Sequence, residues 1–494
     1  MSELVKRMQL NKQFAESHGL PVLNQYSVAP HHSGVYPVHG QLYQAWRQVW
    51  DIAFTSTEVS RNAVCNLRVS SVNFQEYPNL RPAHRRRGFI HDGIHVLPRQ
   101  TCGLFTKNLH YDEYPNGPRR LEDSIQGGEL FSTVLTNPIS IFMTHMPNYC
   151  CDRLAPYTFQ SLFSFIKCHT NIKLMTHPPP QLANTYFKLF PDEKQPVWGN
   201  PCDDKRHLEI WSESKNCQKL PNFLVVGPQK TGTTALFSFL QLHPSLQSSF
   251  PSKETFEEVQ FFNGKNYQRG IEWYMDHFPA PNTTVTLFEK SATYFDGDSV
   301  PLRVSRLLPD AAIVMVLIPP GARAYSWYQH MRAHSDPAAS NMSFREVLSA
   351  GPSSPRAALS LQSRCLEPGK YASHIDKWLA HFPASRLVIV DGEQLKTNPV
   401  IVMNDLQHSL QISPFMDYSR SLLFDEVKGF YCMKINGKKK CLGKGKGRVY
   451  PPMDEFSTKW LEKYYRKQNE NLERLLKRLG FKVPPWLTSE LSEG

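Results

Sequence analysis

The fold is decided by the segment Phe223-Leu224-Val225-Val226-Gly227-Pro228-Gln229-Lys230-Thr231-Gly232-Thr233-Thr234-Ala235-Leu236. Its apolar run 223–226 predicts a buried β-strand, and residues 233–242 predict a helix. A glycine-containing turn between a strand and a helix gathers backbone N–H groups and the positive end of the helix dipole, which favours a bound anion. A cation and hydroxyl donors are added there by Lys230, Thr231, Thr233 and Thr234. This clustering disfavours the alternative, a plain strand–turn–helix connection with an incidental lysine.

The turn differs from the P-loop of NTPases, G-x-x-x-x-G-K-[ST], in which the lysine directly follows the second glycine. Here Lys230 precedes Gly232 by two positions. No strand-borne acid suited to Mg²⁺ is identified after the turn. The sequence therefore predicts a site for a phosphate-bearing ligand that is handled without a metal, and it disfavours a relative of the nucleotide-binding kinases.

Strand and helix patterns alternate downstream of the turn. Residues 311–318 and 386–390 are further apolar strand candidates, each preceded by helical sequence. Buried strands separated by helices predict an α/β fold with a parallel sheet. At the C-terminal end, residues 457–479 predict an amphipathic helix that ends at Gly480.

The chain has 494 residues, enough for two or three domains. We predict an N-terminal domain over residues 1–195, a polar linker over 196–220 and a C-terminal domain over 221–494. The linker contains Cys202 and Cys217, which either form a disulfide or are unrelated cysteines.

The composition is that of a globular protein, with 40% hydrophobic and 20% charged residues, which excludes a mainly disordered or fibrous chain. The net charge of +12 favours a polyanionic partner such as nucleic acid, an anionic membrane or an acidic polysaccharide. An ordinary basic surface explains the charge equally well.

No stretch reaches the roughly eighteen apolar residues of a membrane span, and the N-terminus lacks the apolar core of a signal peptide. Ten cysteines and the glycosylation sequons at Asn282 and Asn341 nevertheless favour an oxidising lumen. Together these features predict a chain that is truncated at its N-terminus.

Residues 227–234 resemble the 5′-phosphosulfate loop of Golgi sulfotransferases, which use 3′-phosphoadenylyl sulfate (PAPS). A second matching element follows the strand at 313–318 and reads Arg323-Ala324-Tyr325-Ser326-Trp327-Tyr328-Gln329-His330. In this family its Arg and Ser hold the 3′-phosphate, and a charged fork with a hydroxyl suits a phosphate dianion. The alternative for Arg323 is an arginine on a surface helix.

A narrower resemblance is to the bifunctional heparan sulfate N-deacetylase/N-sulfotransferases. It covers residues 8–487 and is carried by segments 99–105, 255–262, 288–295 and 442–448. It implies a sulfotransferase fold with a P-loop-like parallel sheet flanked by helices, preceded by a partial α/β domain of the polysaccharide-deacetylase type. One departure is Pro319-Pro320-Gly321-Ala322, where the family has Asn-Pro-Ala-Asp.

The resemblance also implies catalytic roles. Lys230 would neutralise the leaving phosphate, Glu258 would take the proton of the attacking amine, and Lys290 would bind substrate. His330, four residues after Ser326 on a helix, would support the site. The structural alternatives are a solvated helix carboxylate for Glu258 and a structural histidine for His330.

The residues that the resemblance places around PAPS are Lys230, Thr231, Gly232, Thr233, Thr234, Arg323, Ser326, Tyr431, Lys446, Gly447, Arg448, Val449 and Tyr450. It also implies a Cys432–Cys441 disulfide that fixes the basic loop 438–448, with a stabilisation of about 2–3 kcal/mol. The basic loop is otherwise a solvated charge run or a nucleic-acid patch.

The N-terminal half resembles the deacetylase domain of the same family. Such enzymes activate water with a divalent metal held by an Asp and a His-x-x-x-His pair. His145, after the strand-like run 139–143, matches the family's acid, whereas His31, His32 and His39 are typical of a loop. Because the metal ligands of the family lie upstream of residue 1, and because residues 59–75 are an insertion, we expect deacetylation to be absent.

The sequence therefore predicts a PAPS-dependent N-sulfotransferase of the Golgi lumen. It would act on the free amine of glucosamine in heparan sulfate or heparosan, release adenosine 3′,5′-bisphosphate, and need no metal and no nucleic acid. The alternative is a catalytically inactive glycosaminoglycan-binding protein of the same fold.

Overall fold

A computed structural model describes residues 2–23, 25–29, 33–36, 38–57, 87–99, 111–144, 146–149, 154–203, 219–251, 257–279, 285–443 and 450–492. The chain divides into two compact units, Met1–His207 and Leu208–Gly494. The division falls inside residues 196–220, the predicted linker.

The N-terminal unit contains a small mixed sheet. Its central strand β3 (Ile94–Pro98) pairs in parallel with β1 (Phe54–Thr57) and antiparallel with β2 (Phe89–His91). The helices of this unit are Ser2–Ser17, Gly40–Trp50, Pro118–Ile125, Glu129–Thr136, Leu154–His169 and Pro179–Leu189.

The prediction of strand-like structure at residues 139–143 is wrong. This run forms no strand and has a single bridge residue, Phe142. Ile139 and Ile141 instead pack against a core cluster that contains Leu97 and Tyr186. An apolar run can bury its side chains without joining a hydrogen-bonded ladder, and periodicity alone does not separate the two cases.

The C-terminal unit is built on a five-stranded parallel sheet in the order β5-β6-β4-β7-β8. The strands are β4 (Phe223–Gly227), β5 (Leu246–Ser248), β6 (Thr286–Lys290), β7 (Ala312–Leu317) and β8 (Leu387–Asp391). The predicted α/β fold and its parallel strands are thereby confirmed. The strand order reverses at β4, and open α/β sheets bind ligands at the carboxyl ends of the strands at such a point.

Helices cover both faces of this sheet, so β4 is buried at every position and β7 at all but the first. The helices are Thr233–Leu240, Gly270–Met275, Val300–Leu307, Pro320–Ala333, Pro337–Asn341, Phe344–Leu348, Arg356–Leu366, Tyr371–Leu379, Gly392–Thr397, Pro399–Ser409, Glu455–Arg478 and Pro485–Ser492. Glu455–Arg478 is the predicted C-terminal helix, and Gly480 follows it in the left-handed conformation at φ +74°.

A second, antiparallel sheet in the order β11-β10-β9 completes the unit. Its strands are β9 (Leu422–Asp425), β10 (Phe430–Ile435) and β11 (Lys438–Lys440). Met433 of β10 belongs to the same core cluster as Val225 of β4, which packs the small sheet against the main core. Over the described part of the chain, no helix is both long enough and apolar enough to cross a membrane.

Candidate active site

The loop after β4 is a turn whose geometry could hold an anion. It covers residues 228–232, and the Thr231 hydroxyl donates to the Pro228 carbonyl oxygen at 2.8 Å, which closes the loop on itself. Gly232, at φ +101°, precedes the helix Thr233–Leu240, and no side chain of the described residues caps that helix. Because the first N–H groups of a helix have no partner within it, this end can donate to a bound anion.

Two glycines allow other segments to approach this loop closely. Gly227 lies at φ +113°, and a β-carbon there would meet the Ala292 carbonyl oxygen at 2.2 Å. A β-carbon on Gly392 would lie 2.8 Å from the Thr231 carbonyl oxygen. The loop is therefore enclosed between the segment that follows β6 and the helix that follows β8.

Arg323 is brought to the loop by the helix Pro320–Ala333, which directly follows β7. Its side chain is buried, and Nη1 donates to the Gln229 carbonyl oxygen at 3.5 Å. Nη2 donates to the carbonyl oxygens of Arg364, at 3.2 Å, and Cys365. Its Nε is buried without a hydrogen-bond partner among the described residues, and an unpaired buried donor is costly unless a ligand accepts from it.

The sequence departure before Arg323 leaves the helix start intact. Pro320 occupies the first turn, where proline is favoured because its fixed φ suits a helix and its missing N–H is not needed. Ser326 and His330 are half-buried on the same helix. The His330 ring lies 5.5 Å from Trp327 and 4.2 Å from His334.

Glu258 and Lys290 form an ion pair that sequence reasoning did not identify. Lys290 ends β6 and lies in register with Val225 of β4, so it neighbours the loop. Its Nζ lies 2.9 Å from Glu258 Oε1 and 3.7 Å from Glu257 Oε2. Lys290 is 2% exposed, Glu258 21% and Glu257 56%, so Glu258 is the carboxylate that bridges the buried cation and solvent.

Glu289, on β6 beside β4, is an acid on a strand that the sequence analysis overlooked. It is fully buried, and its oxygens accept from the hydroxyls of Tyr274 at 2.5 Å, Ser291 at 2.7 Å and Tyr294 at 2.7 Å. The pKa of Glu289 is raised, because the effect of burial outweighs the lowering by these three hydrogen bonds. Glu289 is therefore the shared acceptor of a buried hydrogen-bond network, and it lies next in sequence to Lys290 of the ion pair.

The predicted disulfide between Cys432 and Cys441 is present and joins β10 to the segment after β11. Tyr431 is half-buried and packs on the core cluster that contains Leu395, which lies beside Gly232. The predicted residues Lys446, Gly447, Arg448 and Val449 lie outside the described residues.

Tyr450, at the other end of that segment, is linked to the Arg323 helix. Its ring lies edge-on to Tyr325 at 6.4 Å, and the Tyr325 hydroxyl donates to the Pro451 carbonyl oxygen at 3.0 Å. The chain after the basic loop is thus attached to the helix that carries Arg323 and Ser326.

The remaining predicted features lie in the N-terminal unit, in the linker or on the surface. His39 is buried, and Asn341 is exposed at the end of a helix. Cys202 is disulfide-bonded. Outside the described residues lie His31, His32, His145, Cys217, Asn282 and the insertion 59–75.

Within the described ranges, metal-ligand side chains converge in groups of three only at Asp425, Cys432 and Cys441. The two sulfur atoms of that group are already bonded to each other.

Residues 220–476, more than half of the 494-residue chain, match the family described as "Sulfotransferase domain". Residues 1–131 match the family described as "Heparan sulfate-N-deacetylase, deacetylase domain". The sequence expectation that deacetylation is absent stays a prediction.

The chain is similar to bifunctional heparan sulfate N-deacetylase/N-sulfotransferases from two animals. It is 57% identical to type 3 from Homo sapiens, over 100% of this chain and 55% of that protein. It is 56% identical to the Drosophila melanogaster protein, over 99% of this chain and 47% of that protein. The chain thus spans about half the length of these relatives, and their names agree with the resemblance drawn from the motifs.

Among solved structures, the chain matches a sulfotransferase from Alicyclobacillus acidocaldarius. The match has a TM-score of 0.40 and 21% identity, and it covers 54% of this chain and 98% of that chain.

Proposed function

Because the chain belongs to the sulfotransferase family, we propose that its C-terminal unit transfers a sulfuryl group from PAPS to the free amine of glucosamine in heparan sulfate or its precursor. One observation supports the proposal most directly. The loop follows β4, and Lys290, which forms the ion pair with Glu258, ends β6, the parallel neighbour of β4. A site for a phosphate-bearing donor thereby lies next to a carboxylate that can accept a proton.

The residues around the loop fit a donor that carries several anionic groups. The uncapped helix after Gly232 offers N–H groups, and the buried Nε of Arg323 lacks a partner among the described residues. We assign residues 230–234 to the phosphosulfate end, Arg323 with Ser326 to the 3′-phosphate, and Tyr431 with residues 446–450 to the nucleotide. When bound, PAPS supplies the sulfuryl group, and adenosine 3′,5′-bisphosphate is the product.

On the acceptor side, the reaction needs a base that removes a proton from the attacking amine nitrogen. Glu258 fits this role because one of its oxygens is held by Lys290 at 2.9 Å while the side chain still reaches solvent. Lys290 is buried, so we propose that it acts on the acceptor by orienting Glu258. Lys230 stabilises the negative charge that develops on the departing phosphate. His330 lies on the same helix as Ser326 and supports the site from there.

The proposal uses no metal ion for sulfotransfer and involves no nucleic acid. The names of the two relatives support heparan sulfate as the polysaccharide partner, and heparosan is proposed as its precursor. The proposed location, the Golgi lumen, rests on the resemblance of residues 227–234 to Golgi sulfotransferases and on the lumenal signals in the sequence.

The function is tested by sulfate transfer from radiolabelled PAPS with two acceptors, de-N-acetylated heparosan and N-acetylheparosan. We expect label only in the first acceptor, because a free amine nitrogen is nucleophilic whereas the lone pair of an acetamide nitrogen is delocalised into its carbonyl group. Binding of the polysaccharide without any transfer would instead support the inactive glycosaminoglycan-binding alternative.

Replacing Glu258 by glutamine should lower kcat by about 100-fold or more, because the amide cannot accept the proton of the amine. Affinity for adenosine 3′,5′-bisphosphate, measured by calorimetry, should stay the same. Glu257→Gln is the matched control, since Glu257 is the adjacent carboxylate but lies farther from Lys290 and is more exposed. A larger loss in Glu257→Gln than in Glu258→Gln would move the base by one position.

A further inference from the structure

The segment that carries Glu258 belongs to no helix or strand. Residues 258–261 are irregular in the structure, so their backbone groups need partners other than a helix or sheet ladder. Side chains provide them: Asn266 Nδ2 donates to the Val259 carbonyl oxygen at 3.0 Å, and Arg303 Nη1 donates to the Phe262 carbonyl oxygen at 2.8 Å. The position of Glu258 therefore depends on side chains from other elements.

Two backbone N–H groups of this segment are connected to one buried carboxylate, Glu289, through two side-chain hydroxyls. The Gln260 N–H donates to Ser291 Oγ at 2.9 Å, and the Phe262 N–H donates to the Tyr294 hydroxyl oxygen at 3.2 Å. Both hydroxyls in turn donate to Glu289 Oε1, each at 2.7 Å. Glu289 thus orients two acceptors for the backbone on which Glu258 sits.

The backbone held in this way is strained. Gln260 has φ +50°, a left-handed conformation that costs a non-glycine residue about 1 kcal/mol or more and persists only where its surroundings enforce it. Its side-chain Nε2 also lies 3.4 Å from Glu258 Oε2. If the backbone of Gln260 left this conformation, the position of the Glu258 carboxylate would therefore change as well.

We propose that Glu289 is a positioning residue for sulfuryl transfer, which acts through Ser291 and Tyr294 to hold the segment that presents Glu258. The inference rests on the proposed function, in which Glu258 takes the proton of the amine. Glu289 itself is fully buried, so we assign it a positioning role and not a catalytic one.

Three single-hydroxyl variants separate positioning from general stability. Ser291→Ala and Tyr294→Phe each remove one bridge between Glu289 and the Glu258 segment. Tyr274→Phe is the matched control: it removes a buried hydroxyl that donates to the same carboxylate from the helix Gly270–Met275. All three variants should lose similar thermal stability.

We expect Ser291→Ala and Tyr294→Phe to lower kcat by about 10-fold or more, with KM for PAPS changed by less than about twofold, because a misplaced base weakens the transition state but not donor binding. Tyr274→Phe should keep kcat within about twofold of the wild type. Hydrogen exchange should show faster exchange at the amides of Gln260 and Phe262 in the two bridging variants alone.

Equal losses of kcat in all three variants, or unchanged amide exchange in the bridging pair, would overturn the inference. If one bridging variant does not fold, the other still tests the inference, because each variant removes a separate bridge. A wild-type chain without transfer activity would reject the proposed function, whereas the exchange measurement would still test whether the Ser291 and Tyr294 bridges from Glu289 hold the Glu258 segment.

Discussion

Lys230→Ala should lose sulfotransfer almost completely, with kcat lowered by about 1,000-fold, the size of effect seen when a preorganised group facing developing charge is removed. Lys230 lies in the turn between β4 and the helix Thr233–Leu240. The expectation follows from the role proposed above, in which its cation and the N–H groups of that helix stabilise the departing phosphate. The substitution should leave the fold intact. Lys230 is already left-handed at φ +74°, so alanine meets the same backbone strain as lysine.

The measurement is transfer from radiolabelled PAPS to de-N-acetylated heparosan, with circular dichroism to check the fold. Lys265→Ala is the matched control because Lys265 is an exposed lysine of the same unit. It should keep full activity. Near wild-type activity in Lys230→Ala would show that the turn does not carry the chemistry.

Gly227→Ala should destabilise the C-terminal unit by about 3 kcal/mol or more, because two penalties add: a positive φ in a residue with a β-carbon and overpacking against backbone. The new β-carbon would lie 2.2 Å from the Ala292 carbonyl oxygen, and a backbone atom cannot move aside as a flexible side chain does. The segment around Ala292 is fixed to β4 by the Ser291 N–H, which donates to the Val225 carbonyl oxygen at 3.1 Å. Activity should fall together with stability.

Thermal unfolding measures this effect, and a loss of about 3 kcal/mol corresponds to a melting temperature lower by about 6–12 °C. Gly351→Ala is the control, since no heavy atom lies within 4 Å of a β-carbon built there and its φ lies outside the positive range. It should melt within a few degrees of the wild type. Equal melting temperatures for the two variants would contradict the close packing at Gly227.

The features that sequence reasoning predicts are local ones. The apolar run of β4, the glycine and threonines of its turn and the helix that follows are neighbours in sequence, so strand, turn and dipole can be inferred without knowing the topology. Arg323 and Ser326 are singled out by the family resemblance of residues 323–330, and the structure places both on the helix that follows β7.

The features that it misses depend on which strands become neighbours. β6 pairs with β4 although β5 lies between them in the sequence, and this pairing places Lys290 beside Val225 of β4. The contact between Lys290 and Glu258 is also long-range, joining residues 32 positions apart. Nothing in the local sequence around Glu289 distinguishes a buried carboxylate with three hydroxyl donors from a solvated one. Long-range pairing of this kind is set by tertiary packing, which a single sequence does not display.

The adjacency of β4 and β6 fixes one distance within the candidate site, whatever the surrounding side chains are. Paired strands lie about 4.8 Å apart, a spacing set by backbone hydrogen bonds and independent of side chains. The loop after β4 and the segment around Lys290 extend from these two strands, so the backbone pairing sets the distance between them. Insertions or substitutions in the outer connections can therefore reshape the surrounding surface without changing the separation between the loop after β4 and the backbone of Lys290.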